Sequence, residues 1–212
     1  MFEERLAKLE NAESCCATAS GMAAIFLLCL TFLRSGDRVL TTPSLFGATI
    51  QGFETILKKF GVQIDYANLT DIEDWSKKIT KQTKLLFLES PSNPRNELAD
   101  LSKIATLAKN SNAISVVDNC ILTPALQNPL DFGIDLSLHS ATKFIDGQGR
   151  SLGGAIAGSK KLVEKMKQTM RFSGFSFTPF NAWILLKSLE TLKIRMDAHS
   201  MNSNKVAEWL DA

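Results

Sequence analysis

Short apolar runs alternate with segments of helical periodicity along most of the sequence, and this alternation restricts the fold more than any other feature. The apolar runs have strand-like composition and lie at 38–40, 62–66, 85–88, 114–117 and 134–138. Strands that are separated by helices pair mostly in parallel, and the helices then cover the faces of the sheet. We therefore predict an α/β fold with a mostly parallel sheet flanked by helices.

Helical periodicity fills the segments between the predicted strands. It predicts helices around 21–33, 49–60, 71–79, 100–109, 160–170 and 179–212. Ser20, Thr70 and Asp100 are plausible N-caps for three of them, because their short polar side chains accept hydrogen bonds from the first turn of a helix. The sequence has no internal repeat and no linker rich in Gly, Ser or Pro, so one domain over 1–212 is the simplest interpretation.

The composition argues against several classes of partner. The chain has 212 residues, of which 45% are hydrophobic and 22% charged, and its 24 basic residues nearly balance its 22 acidic ones. The charges are spread along the chain, so we expect no binding to nucleic acid or to an anionic membrane. The longest apolar stretch, 22–33, is shorter than the ~20 residues that a membrane-spanning helix needs. We predict a cytoplasmic protein with a small, phosphorylated ligand as an allowed partner.

Cysteine and histidine give no pattern of a metal site. The two histidines, His139 and His199, are too few for a three-histidine zinc site and have no cysteine or carboxylate at ligand spacing. We predict no metal, and we expect His139 to be a packed residue of a strand. The four cysteines lack the Cys-x-x-Cys spacing and are expected to be reduced core residues: Cys15, Cys16, Cys29 and Cys120.

Polar residues follow three consecutive predicted strands. Glu89 to Pro94 follow the run 85–88, Asp118 and Asn119 follow 114–117, and His139 to Lys143 follow 134–138. In open parallel sheets ligands bind outside the carboxyl ends of the strands. The sequence therefore predicts a ligand site at this edge of the sheet.

Lys143, in the segment Ser140-Ala141-Thr142-Lys143, has the surroundings of a lysine that forms a Schiff base beside a phosphate group. Such an amine reacts with an aldehyde only when it is partly deprotonated, which burial and a nearby positive charge favour. The hydroxyls of Ser140 and Thr142 would then bind the phosphate. The pattern points to pyridoxal phosphate, although a lone Ser-x-Thr-Lys is more commonly a solvated lysine after a strand.

Further candidates each have an ordinary structural interpretation beside the functional one. Gly21 and Met22 begin an apolar helix whose N–H groups would bind an anion, but Ser20 with a following glycine is also an ordinary cap. Asp118, if buried, needs a cationic partner such as a protonated pyridine nitrogen, or it forms an Asx-turn. Phe46 would stack on a planar ring or belong to the core. Asn93 would donate to a phenolate oxygen or only build a turn before a proline.

Several of these motifs follow one another in an order that is typical of one enzyme family: Leu9-Glu10, Ser20-Gly21-Met22, Gly36-Asp37, Phe46-Gly47-Ala48-Thr49, Glu89-Ser90-Pro91-Ser92-Asn93-Pro94, Val117-Asp118-Asn119 and Ser140-Ala141-Thr142-Lys143. Here the sequence resembles the Cys/Met-metabolism enzymes that depend on pyridoxal phosphate, which include cystathionine synthases, cystathionine lyases and homoserine-ester sulfhydrylases. The resemblance covers essentially the whole chain. It implies the large domain of the fold type I transferases that use pyridoxal phosphate.

The resemblance also implies a reaction and a set of roles. Phe46 stands where most members have tyrosine, and 146–150 departs from the common pattern, so that the chain looks most like the O-succinylhomoserine sulfhydrylases. They carry out a γ-replacement in which sulfide displaces the succinyl group to give homocysteine; a cystathionine γ-synthase or lyase is the alternative. By resemblance, the cofactor residues are Lys143 as the Schiff-base lysine, Asp118 at the ring nitrogen, Phe46 on the ring, Asn93 at its 3′ oxygen, and Gly21, Met22, Ser140 and Thr142 at the phosphate.

Members of that family are nearly twice as long as this chain. By comparison with them, we expect truncation at both ends: an N-terminal Tyr-x-Arg segment is not found, and 180–212 is expected to lead to a missing C-terminal domain. Self-association into a dimer or tetramer is implied for the family. An inactive cofactor-binding or oligomerisation remnant is therefore a second interpretation. A dinucleotide-dependent oxidoreductase is disfavoured, because the glycines of 147–153 precede a predicted strand rather than opening a helix.

Overall fold

A computed structural model describes residues 1–211 of the chain. A single seven-stranded sheet lies at its centre. Its strands are β1 (Ser14–Thr18), β2 (Arg38–Thr41), β3 (Gln63–Tyr66), β4 (Thr83–Glu89), β5 (Ile114–Asp118), β6 (Leu136–Ser140) and β7 (Gly154–Gly158). They lie in the order β1-β7-β6-β5-β4-β2-β3. The pairs from β3 to β6 are parallel, whereas β7 runs antiparallel to both β6 and β1. The predicted mostly parallel sheet is confirmed.

Helices cover both faces of the sheet, as predicted. They are α1 (Phe2–Leu9), α2 (Gly21–Phe32), α3 (Gly47–Thr55), α4 (Ile72–Lys78), α5 (Leu101–Ser111), α6 (Thr123–Leu126), α7 (Lys160–Ser173), α8 (Pro179–Leu189) and α9 (Leu192–Asp211), with short 3-10 turns at Leu57–Phe60 and Pro129–Phe132. α2 and α7 pack on one face. The other face is covered by α4 and α5 near one edge and by α1, α8 and α9 near the other. Among the helices of residues 1–211, none combines the length and apolar character needed to cross a bilayer.

The side chains of β4 show why this strand is continuously apolar. Leu85 and Phe87 belong to the apolar cluster on the face of α2 and α3, where the Phe87 ring lies 5.5 Å from that of Phe53, while Leu86 and Leu88 pack with α4 and α5 on the opposite face. Successive strand residues point to opposite faces, and here both faces are covered. Each fully buried side chain of this size stabilises the fold by roughly 1.5–3 kcal/mol. The central strands therefore form the rigid support of the polar residues at their ends.

Several helices begin at a capping side chain. Ser20 and Asp100 cap α2 and α5, as predicted. The prediction for Thr70 is wrong, because Asp71 caps α4 and its carboxylate accepts from two backbone N–H groups of the first turn. A carboxylate is also favoured there by the helix dipole. The Thr70 hydroxyl instead donates to the side chain of Asn68.

Several segments differ from the sequence prediction. α1 and β1 were not predicted, since 14–18 has no run of β-branched residues and becomes a strand by pairing with β7. The predicted helix 49–60 is α3 followed by a 3-10 turn. The predicted helix 179–212 is divided, because the N–H groups of Glu190 and Thr191 bond to carbonyls only three residues back and close the last turn of α8. Ala212 lies outside the described residues.

Candidate active site

Three neighbouring parallel strands end in polar side chains at one edge of the sheet. Glu89 is the last residue of β4, Asp118 the last of β5 and Ser140 the last of β6. Glu89 and Asp118 are register partners, and Asp118 lies beside Leu138, two residues before Ser140. The prediction that the polar residues meet at the carboxyl ends of the strands is confirmed.

These strand ends form one side of a cavity of about 470 Å³. All eight residues that the sequence singled out line it, namely Gly21, Met22, Phe46, Asn93, Asp118, Ser140, Thr142 and Lys143. They come from the start of α2, the start of α3 and the segments after β4, β5 and β6. The structure thus brings together residues that are up to 122 positions apart in sequence.

One end of the cavity is rich in hydrogen-bond donors. Gly21 and Met22 are the first two residues of α2, where backbone N–H groups have no partner within the helix. Their N–H groups and the Ser140 hydroxyl have no hydrogen-bond partner among residues 1–211. The Thr142 hydroxyl, in contrast, is engaged with the backbone of Gly153. Free N–H groups at a helix N-terminus bind anions such as phosphate.

The backbone approaches very closely at this end. A Cβ atom on Gly21 would lie 2.6 Å from the Cβ of Ser140. A Cβ on Gly154 of β7 would lie 2.1 Å from the carbonyl oxygen of Ser20. Only glycine therefore allows the start of α2 to pack against the ends of β6 and β7, and this packing fixes the N–H groups beside Ser140.

The cavity also holds a buried carboxylate, that of Asp118. Asp118 is 9% exposed, and its Oδ1 accepts a hydrogen bond from the backbone N–H of Cys120 at 3.1 Å. Burial raises the pKa of Asp118, and the hydrogen bonds from Cys120 oppose that effect. Asp118 has no ion-pair partner among residues 1–211. A buried carboxylate without an ion-pair partner favours the binding of a cationic ligand group.

The family model for Cys/Met metabolism enzymes that depend on pyridoxal phosphate (PLP) matches residues 1–212. The chain belongs to this family. Members of the family use PLP, and they act as carbon–sulfur lyases and transferases. The cofactor expected from the sequence is confirmed at the level of the family.

Two relatives and one solved structure show how close the match to the PLP family is. The O-succinylhomoserine sulfhydrylase of Pseudomonas aeruginosa is 50% identical over 210 residues, which are 99% of this chain and 52% of that enzyme. The O-succinylhomoserine sulfhydrylase of Mycobacterium tuberculosis is 41% identical over 212 residues, which are 100% of this chain and 52% of that enzyme. The crystal structure of cystathionine gamma-lyase from Lactobacillus plantarum complexed with L-serine is 32% identical and has a TM-score of 0.97, covering 100% of this chain and 55% of that chain. The chain spans about half the length of the curated relatives it matches.

The cavity of this family member fits PLP chemically. PLP carries an anionic phosphate on one side of its ring and a nitrogen that accepts a proton on the other. The cavity has free N–H groups and a hydroxyl at the Gly21 end and a buried carboxylate at Asp118. Because Gly21 has no Cβ atom, the start of α2 packs closely against Ser140, and its backbone N–H groups are available to the phosphate of the cofactor. The donor set and the acceptor therefore match the two polar ends of the cofactor.

Lys143 and Asn93 line the same cavity and are both exposed. Neither the Lys143 amine nor the Asn93 amide has a side-chain partner within residues 1–211. The exposed position of Lys143 means that the described residues do not provide the burial considered in the sequence analysis. Phe46, which precedes α3 and is 46% exposed, lines the same cavity rather than belonging to the core.

Among the other lining residues, Glu89 and Cys120 were given no role by the sequence analysis. Glu89 is buried at 4% exposure, and its carboxylate accepts from the backbone N–H of Phe46 at 3.0 Å. Burial raises the pKa of Glu89 to about 7, and the nearby charge of Asp118 acts in the same direction. Cys120 was expected in the core, but it is only half-buried and lines the cavity. The position of Glu89 directly after an apolar strand was the available signal.

A buried polar network adjoins the segment that carries Asp118. His139 is fully buried in β6, as expected, and its Nε2 lies 2.5 Å from a carboxylate oxygen of the equally buried Glu10. The Asn119 amide also donates to that oxygen, at 3.1 Å. This network connects α1 to the ends of β5 and β6. It supports the segment that carries Asp118 without lining the cavity.

The dinucleotide-binding interpretation has no support in the structure. The glycines of 147–153 lead into β7, so they do not form the strand-turn-helix arrangement of a dinucleotide site. Within residues 1–211 no group of three His, Cys, Asp or Glu side chains is arranged to hold a metal ion.

Proposed function

We propose that this chain is the PLP-binding large domain of an O-succinylhomoserine sulfhydrylase, with 180–212 leading to a further domain. The observation that carries the proposal is that Lys143, Asp118 and the donor-rich end at Gly21 line a single cavity. The choice of substrate is supported by the similarity to the sulfhydrylases described above. In the proposed reaction the Cγ–O bond of O-succinylhomoserine breaks and a Cγ–S bond to sulfide forms. Succinate leaves with the bonding electron pair, and homocysteine is the product.

The cofactor, when bound, supplies the electron sink that stabilises negative charge on the substrate carbons. Lys143 would hold the cofactor through Nζ, and its amine, once the amino group of the substrate has displaced it, would take the proton from Cα of the amino acid. The Asp118 carboxylate holds a proton on the ring nitrogen, which keeps the ring electron-poor. A hydrogen bond to a charged group of this kind contributes roughly 1.5–3 kcal/mol.

The remaining residues bind and orient. The N–H groups of Gly21 and Met22 and the hydroxyl of Ser140 hold the phosphate, and Thr142 joins them when its hydroxyl turns from Gly153. Asn93 donates to the 3′ oxygen of the ring. Phe46 covers one ring face and excludes water there, an aromatic contact worth about 0.5–1.5 kcal/mol beyond the buried area.

We further propose that the protein is cytoplasmic and self-associates. Its four cysteines are free thiols, which agrees with a reducing compartment. On α8 and α9, Phe180, Trp183 and Trp209 are 67%, 58% and 76% exposed. The rings of Phe180 and Trp183 lie 6.2 Å apart, and neighbouring exposed aromatic side chains are typical of surfaces that another protein surface covers.

The assignment of Lys143 is tested by absorption spectroscopy. The purified chain mixed with PLP is expected to show the visible absorption band of lysine-bound cofactor, and Lys143→Ala is expected to lose it. Lys161→Ala removes an exposed lysine of α7 and should leave the band unchanged. A band that persists in Lys143→Ala would refute the assignment.

The reaction is tested with O-succinylhomoserine and sulfide, with homocysteine as the measured product. Production of homocysteine that Lys143→Ala abolishes supports the proposal. Release of keto acid from cystathionine, with no homocysteine from O-succinylhomoserine, would instead favour the cystathionine enzymes of the family. Cofactor binding without turnover of either substrate would favour a binding fragment.

A further inference from the structure

Glu89 and Asp118 place two carboxylates at the same end of the cavity. They are register partners on the parallel strands β4 and β5, and both side chains line the cavity. Both are also buried, at 4% and 9% exposure. Two buried carboxylates on adjacent strands repel each other unless a cation lies near them or one of them is protonated.

Glu89 connects the two loops that carry Phe46 and Asn93. Its Oε2 accepts from the backbone N–H of Phe46 at 3.0 Å, at the start of α3. The backbone N–H of Asn93, in the loop after β4, also lowers the pKa of Glu89. The position of Phe46 therefore depends directly on this carboxylate, and the backbone of Asn93 lies within its electrostatic reach.

A second carboxylate, Glu97, connects the same two loops away from the cavity. Its Oε2 accepts from the hydroxyl of Ser44, just before Phe46, at 2.8 Å, and from the hydroxyl of Ser92 at 3.4 Å. Glu97 does not line the cavity that Glu89 and Asp118 share. A variant of Glu97 therefore tests the effect of losing a contact between the two loops without changing a charge that lines the cavity.

The charge of Glu89 changes near neutral pH. Its pKa is raised to about 7, first by burial and then by Asp118. The other ionisable groups that line the cavity are Cys120 and Lys143. Ionised Glu89 makes a charge-assisted hydrogen bond to Phe46, which is about twice as strong as the bond to the neutral acid. A cationic ring nitrogen at Asp118 further favours the ionised form.

We propose that Glu89 is a positioning residue that holds Phe46 and Asn93 against the ring of bound PLP and does so most firmly when it is ionised. This inference rests on the proposed function of the cavity. It assigns to Glu89 no contact with the reacting atoms.

The dissociation constant of PLP, measured from the visible band between pH 6 and pH 8.5, tests this role. Glu89→Gln keeps the shape and one acceptor oxygen but removes the charge. At pH 8.5 we expect it to weaken binding about fivefold relative to the wild type, the effect of losing the charge assistance of one hydrogen bond. The ratio of the two constants should fall toward one as the pH drops below about 7, because Glu89 in the wild type is then protonated.

Two further variants make the result decisive. Glu97→Gln should change the affinity by the same factor at every pH. Glu89→Asp restores the charge and should regain the pH-dependent part of the ratio, which excludes a mere folding defect. A Glu89→Gln to wild-type ratio that is constant from pH 6 to pH 8.5 overturns the inference while leaving the PLP site intact. Absence of the band in the wild type would instead reject the proposed function.

Discussion

Replacing Gly21 with alanine adds one methyl group at the donor-rich end of the cavity. The new Cβ would lie 2.6 Å from the Cβ of Ser140 and 3.0 Å from its Cα. Ordinary contacts of this kind are 3.4–4 Å long, so the start of α2 and the end of β6 must separate by roughly 1 Å. Overpacking of this kind costs about 1–3 kcal/mol, of which alanine regains up to about 1 kcal/mol through its better helix propensity.

Two measurements follow from this displacement. Urea unfolding of the cofactor-free chain should show Gly21→Ala less stable than the wild type by about 1–2 kcal/mol. The affinity for PLP should fall by about 10- to 100-fold, because the shift removes a charge-assisted hydrogen bond worth roughly 1.5–3 kcal/mol. Titration of the visible band measures this loss.

Gly47→Ala is the matched control. Gly47 also begins a helix next to a cavity residue, but a Cβ there meets no atom within 4 Å. We expect unchanged PLP affinity and a stability that is equal or higher by up to about 1 kcal/mol. If Gly21→Ala behaves like Gly47→Ala in both measurements, the close packing of α2 on Ser140 does not form the phosphate site.

Further predictions concern Asp118, the cap of α4 and the cavity thiol. Burial raises the pKa of Asp118, so its ionisation lowers the stability of the folded state as the pH rises through that pKa. Cofactor-free Asp118→Asn should therefore be more stable to urea than the wild type at pH 8, with a smaller difference at pH 4. The same variant should bind PLP more weakly. Asp71→Ala should lose about 1 kcal/mol in urea unfolding, whereas Thr70→Ala should change little; equal losses would contradict the cap assignment. Burial and Asp118 raise the pKa of Cys120 well above its usual range, so native protein at pH 8 should react slowly with a thiol reagent and denatured protein rapidly; fast native labelling of Cys120 would contradict this.

Local sequence determined the layered fold and most of the candidate site. The apolar run of β4 is buried on both faces, so its composition is visible without knowledge of its neighbours. Asp118 and Lys143 were noticed because polar residues follow apolar runs there, but their roles toward a cofactor came from the Ser-x-Thr-Lys segment and the resemblance to the enzyme family. Caps at Ser20 and Asp100 were equally local, since each bonds within its own first turn.

Only the tertiary structure decided features that depend on partners distant in sequence. β1 became a strand through pairing with β7, some 140 positions away in the sequence. Glu89 acquired its raised pKa from burial and from Asp118 on a neighbouring strand, and Cys120 entered the cavity rather than the core. Composition and periodicity show which residues are apolar. The burial of Glu89 and its closeness to the charge of Asp118 arise only when segments distant in sequence pack together.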